Sequence, residues 1–143
     1  MPQDTERRHK QLDEFTDVYD FLEQVRLRPG IWVRRSSLQH LDSMLTGYRV
    51  ALGVHGIAEP FDFWTQGRPS PFSEWLSRRL GMDYPSALGW ATEIERAAEQ
   101  ADRPAMEMFF ELLDEFRGAD HRARGQAEPE KPHGVSGPDP RTS

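Results

Sequence analysis

The sequence contains no cysteine, which excludes disulfides, thiolate nucleophiles and thiolate metal sites. It also has no run of about 18 apolar residues, the length that a membrane span requires. The N-terminal stretch MPQDTERRHK is polar, whereas a secretion signal needs an apolar segment there. We therefore expect a cytoplasmic protein that neither spans nor binds a membrane.

Catalytic and cofactor motifs are missing as well. The 11 glycines form neither GxGxxG nor GxxxxGK[ST], the loops that cradle phosphates. No two of the 5 histidines are four residues apart, the spacing of a metal-binding pair on a helix. The serines Ser36, Ser37 and Ser70 have no histidine and aspartate at the spacing of a catalytic motif. The sequence thus predicts no catalytic residue, no metal and no cofactor, and a protein that is not an enzyme.

Negative charge is concentrated in the middle of the chain. The net charge is −6, residues 118–143 sum to zero and residues 1–11 sum to +1, which leaves −7 on residues 12–117. Nucleic-acid phosphates require a basic stripe, so this balance argues against a nucleic-acid partner. It fits a basic protein partner.

The stretch Asp17 to Gly53 predicts two helices joined by a corner. One face of the first helix is apolar, with Thr16 or Asp17 as its cap. Pro29 ends this helix because its ring disfavours the helical conformation at the preceding residue. We expect Ile31–Val33 to be a short extended segment, since these residues are β-branched and aromatic. Ser36 or Ser37 then caps the second helix.

Three more helices are predicted downstream. Ser70 and Pro71 begin the third, Ser86 caps the fourth, with Leu88 and Trp90 inside, and Pro104 begins the fifth. The second helix has its own apolar face, formed by Leu38, Leu41, Met44, Leu45, Tyr48 and Leu52. We therefore expect an all-α fold: one compact domain of about five helices over residues 12–117. Residues 1–11 and 118–143 are predicted to be disordered, because their composition cannot bury enough surface to offset the entropy of ordering.

Three groups of residues are candidates for binding. An acidic face on the fifth helix is solvated, binds a partner or serves acid–base catalysis; it consists of Glu107, Glu111, Asp114 and Glu115. Trp32 and Trp64 lie in predicted turns, where they either pack or act as exposed anchors for a partner. Arg28 and Arg34 at the corner either hold helix carbonyls and carboxylates or bind an anion.

Two resemblances involve these residues. The segment VRLRPGIWV, Val25–Val33, resembles a helix-to-strand turn in the DNA gyrase ATPase subunit, whose ATP-site motifs are absent here. Over about a hundred residues the chain resembles a family of small, mostly uncharacterised bacterial proteins associated with polymorphic-toxin loci. The shared residues are Arg28-Pro29-Gly30, Gly47-Tyr48, Trp75, Gly89-Trp90 and Phe109–Phe116. The chain departs from that pattern at Trp32-Val33-Arg34 and in its long tail.

This second resemblance implies an immunity protein that neutralises a cognate toxin by occlusion. The leading hypothesis is thus a non-catalytic protein-binding domain with an acidic helical face turned to a basic toxin domain. The alternative is a regulatory or adaptor module of another bacterial system. An enzyme that uses the arginine corner is a third hypothesis.

Overall fold

The computed structural model describes residues 9–127, with side chains to residue 122, and this part of the chain is all-α. Its six α-helices are α1 (Val18–Leu27), α2 (Pro29–Trp32), α3 (Leu38–Val54), α4 (Pro71–Arg79), α5 (Trp90–Ala101) and α6 (Ala105–Ala127). Short 3-10 turns occur at Leu12–Glu14 and Arg34–Ser36. Residues 9–127 contain no strand, which confirms the predicted fold class. None of the helices described has both the length and the apolar character needed to cross a membrane.

Side-chain caps fix the starts of three helices. Asp17 rather than Thr16 caps α1, since Asp17 Oδ1 accepts from the amides of Tyr19 at 3.0 Å and Asp20 at 3.2 Å. Ser37 rather than Ser36 caps α3. Ser70 caps α4, and Pro71 follows at the first helical position, as predicted.

The corner after α1 is helical where an extended segment was predicted. Arg28 leaves the helical conformation, at φ −145° and ψ 77°, as its position before Pro29 requires. Pro29 then begins the short helix α2, because its fixed φ suits a first helical position. The amide of Val33 donates to the carbonyl of Pro29 at 2.8 Å and closes this turn. The prediction for Ile31 and Trp32 was therefore wrong, and only Val33 is extended.

Helix α5 begins later than predicted. Its N-cap is Gly89, whose φ of 96° lies in a region that L side chains rarely adopt. Ser86 instead accepts from the amide of Leu88 at 3.0 Å in the preceding turn. Leu88 is 60% exposed, so its predicted place inside a helix was wrong.

The chain divides into two compact units between Phe110 and Glu111, a point within α6. The first unit has an aromatic core in which Phe72 contacts Phe63 and Trp90, with ring centroids 5.6 and 5.7 Å apart. Trp90 stacks on Phe109 at 5.1 Å. Helix α3 packs on α5 in this unit, and α4 packs on α5. The core thus holds the inner side of α3 in place.

The second unit is described as the remainder of α6. Gly118 does not end this helix, which continues to Ala127, so the predicted boundary at residue 117 was wrong for residues 118–127. A single glycine weakens a helix by only about 1 kcal/mol and does not by itself stop it. The rest of the predicted tail, residues 128–143, lies outside the described residues, as do residues 1–8. Lys10, in the other predicted disordered segment, forms an ion pair with Asp20 at 2.9 Å.

Candidate functional site

Helix α3 has an exposed side without acidic or basic residues, apart from one histidine. Between residues 38 and 54 the charged residues are Asp42 and Arg49, and neither is fully exposed. We call the exposed stripe of this helix the α3 face; it consists of His40, Ser43, Met44, Gly47, Val50, Ala51 and Val54. At about 100° per residue, these positions all lie within about 60° of Gly47 around the helix axis. The opposite side is buried in the core through Leu38, Leu41, Leu45 and Leu52.

Large apolar side chains are concentrated on this face and at its two ends. Val50 is 54% exposed and Val54 73%, values typical of polar surface positions. Ile31 precedes α3 and Ile57 follows it, and both are more than half exposed. Among residues 9–122, five of the nine exposed large hydrophobic residues therefore belong to this region. An exposed apolar surface of this kind is characteristic of interaction sites.

An open groove lies at the start of α3, with a volume of about 480 Å³. We call it the corner groove; its lining residues are Gly30, Ile31, Trp32, Arg34, His40, Ser43 and Met44. Trp32 is half-buried there because its ring packs edge-on against Phe21 at 5.7 Å and lies 6.3 Å from Phe15. The groove thus combines a fixed aromatic wall with the exposed guanidinium of Arg34.

A second groove lies at the end of α3, with a volume of about 340 Å³. We call it the tyrosine groove; it is lined by Phe15, Thr16, Asp17, Tyr48, Ala51, Leu52, His55, Ile57 and Glu59. Its walls are largely apolar, but two carboxylates, Asp17 and Glu59, line it. The two grooves therefore have opposite charge, with arginine at the start of α3 and carboxylates at its end.

Glu59 organises the tyrosine groove. Its carboxylate accepts from the hydroxyl of Tyr48 at 2.9 Å and from the amide of Val18 at 2.9 Å. Burial raises the pKa of the Tyr48 hydroxyl well above its usual range, and the hydrogen bond to Glu59 raises it further. The hydroxyl is therefore a neutral donor at physiological pH.

Two carboxyl groups that do not line either groove, those of Asp20 and Asp42, have shifted pKa values. The hydrogen bond from Lys10 lowers the pKa of Asp20 to about 2, and Thr16 adds to the effect while burial opposes it. Burial raises the pKa of Asp42, on the flank of α3. Asp20 is thus a structural anion at the start of α1.

The structure brings two of the predicted binding residues together and places the others elsewhere. Trp32 and Arg34, predicted for different roles, line the same groove. Arg28 is exposed nearby but is not among the lining residues of that groove. Trp64 is 37% exposed in the segment between α3 and α4 and lines neither groove.

The predicted acidic face of α6 is exposed as expected, at Glu107, Glu111, Asp114 and Glu115. Within it, Glu107 accepts from Arg103, which lies just before α6, at 2.7 Å, and the two form an ion pair. This part of the face is thus neutralised locally.

Sequence reasoning missed the α3 face. Met44 and Tyr48 were assigned to the buried side of the helix, whereas Met44 is 38% exposed and Tyr48 is only partly buried. A signal was present, because a helix with apolar residues all around its axis cannot bury every one of them in a small domain. Val50 and Val54 lie opposite the leucines on a helical wheel and could have been identified in that way.

Searches against protein-family models, curated proteins and solved structures give no match to this chain.

Proposed function

We propose that this chain is a non-catalytic protein-binding domain and that the α3 face is its docking surface. The observation that supports this most directly is the concentration of exposed apolar side chains on and around α3. Burying apolar surface contributes about 25 cal/mol per Å², so such a surface gains more from a partner than a charged one does.

The two grooves would give this surface its specificity. The wall formed by Trp32 is held by neighbouring rings, and a fixed aromatic side chain is a common anchor in protein interfaces. The cation of Arg34 and the carboxylates of the tyrosine groove lie at opposite ends of the face, so a partner with complementary charges would bind in one orientation.

The resemblance to proteins of polymorphic-toxin loci supplies a finer proposal, in which the partner is a cognate toxin that the domain occludes. In that form a basic toxin domain would bind the acidic face of α6, in accord with the −7 charge of residues 12–117. The α3 face and the acidic face of α6 are thus two surfaces that a single experiment can compare.

The experiment uses tagged full-length chain to capture partners from the native cell lysate, followed by binding of each purified partner to variants. Val50→Asp with Val54→Asp introduces charge on the α3 face. Leu88→Asp is the matched control, since Leu88 is an exposed aliphatic residue elsewhere on the chain. A second variant reverses charge on α6 through Glu107→Lys, Glu111→Lys, Asp114→Lys and Glu115→Lys.

We expect the double aspartate variant to bind the partner with at least about tenfold lower affinity, which corresponds to about 1.4 kcal/mol of binding free energy. The Leu88→Asp control should bind like wild type. If only the charge-reversal variant loses the partner, the acidic face is the docking surface and our assignment to α3 is wrong. Far-ultraviolet circular dichroism shows that each variant is folded.

A further inference from the structure

We propose that the α3 face binds a second copy of this chain, with the two α3 helices antiparallel across a twofold axis that passes near Gly47. This inference rests on the proposed function, because it names the partner of the same face. It is supported by two independent features, the glycine itself and the charge at the two ends, and the side chains around the glycine are compatible with it.

The fold of one chain does not require a glycine at position 47. Gly47 lies in the middle of α3 with an ordinary helical conformation, and a Cβ placed there meets no atom within 4 Å. Glycine in a helix interior weakens the helix relative to alanine. A second helix approaching closely at this point explains the absence of a side chain, since small residues allow two backbones to come near each other.

The α3 face is symmetric around Gly47. Its members lie at three, four and seven residues on either side, which pairs Met44 with Val50, Ser43 with Ala51, and His40 with Val54. A twofold interface requires such self-complementarity, since a residue that contacts a position on the second copy is contacted in return. In the antiparallel arrangement Met44 of one copy lies at the same level along the helix as Val50 of the other, and small residues surround the crossing point.

The charge at the two ends selects the antiparallel direction. Arg34 lines the corner groove at the start of α3, and Asp17 and Glu59 line the tyrosine groove at its end. Antiparallel helices bring the arginine of one copy toward the carboxylates of the other. A parallel pair would place like charges together, which is unfavourable.

The absence of native cysteine makes a direct test possible, because any disulfide must join introduced residues. Under mild oxidation, the full-length Gly47→Cys variant should form a disulfide-linked dimer. The control is Gly53→Cys, on the same helix but outside the face. A mixture of Ser43→Cys and Ala51→Cys chains should cross-link to each other, whereas neither should cross-link efficiently alone. Cross-linking of each single variant to itself would overturn the antiparallel arrangement.

Sedimentation equilibrium gives the second readout. Wild type should show a concentration-dependent dimer, and Gly47→Leu should weaken it at least about tenfold because the side chain fills the crossing point. Gly53→Leu, the matched control, should dimerise like wild type. The open space around the Gly47 Cβ position lets Gly47→Leu fold normally.

The outcomes separate this inference from the proposed function. A chain that stays monomeric at high concentration overturns the dimer. If such a chain loses an identified foreign partner on Val50→Asp with Val54→Asp, the proposed function stands without the dimer. A dimer that is insensitive to Gly47→Leu and to the aspartates forms through another surface and overturns this inference, and the proposed function also fails if the aspartates leave binding of a foreign partner unchanged.

Discussion

Both sides of helix α3 have large apolar side chains, but the two sides differ completely in exposure. One side places four leucines in the core, and the other leaves valine, methionine and alanine in contact with solvent. An ordinary surface helix has charged residues on its outer side. The contrast with α6, whose outer side contains Glu107, Glu111, Asp114 and Glu115, shows that charged outer faces do occur in this chain. The apolar outer side of α3 is therefore the feature on which the proposed docking surface depends.

The largest expected effect is a difference in the free energy of unfolding between alanine substitutions on the two sides of α3. Leu45 is fully buried and Val50 is 54% exposed. Leu45→Ala should lower the free energy of unfolding by about 3 kcal/mol, because it leaves a cavity. Val50→Ala should change it by less than about 0.5 kcal/mol. Urea unfolding followed by tryptophan fluorescence measures both; an equal loss would show that Val50 is part of the core.

Tyr48 lies on the flank between the two sides, and its hydroxyl donates to Glu59. Tyr48→Phe should lower the free energy of unfolding at pH 7 by about 1.5 kcal/mol, the usual effect of losing a hydrogen bond to a charged group. The pKa of the Tyr48 hydroxyl is raised in the folded chain. The contribution of the Tyr48 hydroxyl to the free energy of unfolding is therefore fully present below the pKa of an unfolded tyrosine, and it decreases as pH rises above that value.

The measurement is urea unfolding of wild type and Tyr48→Phe at pH 7 and at about pH 11, just above the ordinary tyrosine pKa. The difference between the two proteins should become smaller at the higher pH. A difference that grows with pH would mean that ionised Tyr48 is stabilised in the folded chain, contrary to its contact with a carboxylate.

Gly47→Ala should give the smallest of these three effects on the free energy of unfolding, and it should raise this free energy where Leu45→Ala and Tyr48→Phe lower it. At concentrations where the chain is monomeric, this substitution should raise the free energy of unfolding by about 0.5 to 1 kcal/mol, because alanine favours the helix. Thermal unfolding on diluted protein measures the change. A loss of stability would show that the glycine serves the fold of the single chain and would weaken the case for a partner at this position.

Much of the local structure was predictable because caps and prolines act over a few residues. Asp17, Ser37 and Ser70 cap helices as their residue types predict. The errors at Trp32 and Ser86 have different causes: a backbone hydrogen bond from Val33 to Pro29 closes a helical turn at Trp32, and Gly89, with a positive φ, caps the helix in place of Ser86.

The candidate site was predictable only in part. Trp32 and Arg34 were identified separately, but their presence in one groove depends on how α2 turns toward α3. The side of α3 that faces solvent depends on where α5 packs, and this is a tertiary property. Composition points to the acidic residues, whereas the apolar face is found only on a helical wheel of α3, and burial then shows that it faces solvent.

The hydrogen bond between Glu59 and Val18 joins residues 41 positions apart in the sequence. It supplies a partner for the first amide of α1 that the local cap, Asp17, does not provide. The start of α1 is therefore completed only when the segment after α3 is in place. The Val18 amide should therefore exchange its hydrogen whenever the segment that contains Glu59 detaches. The start of α1 and the segment after α3 thus belong to one cooperative opening unit.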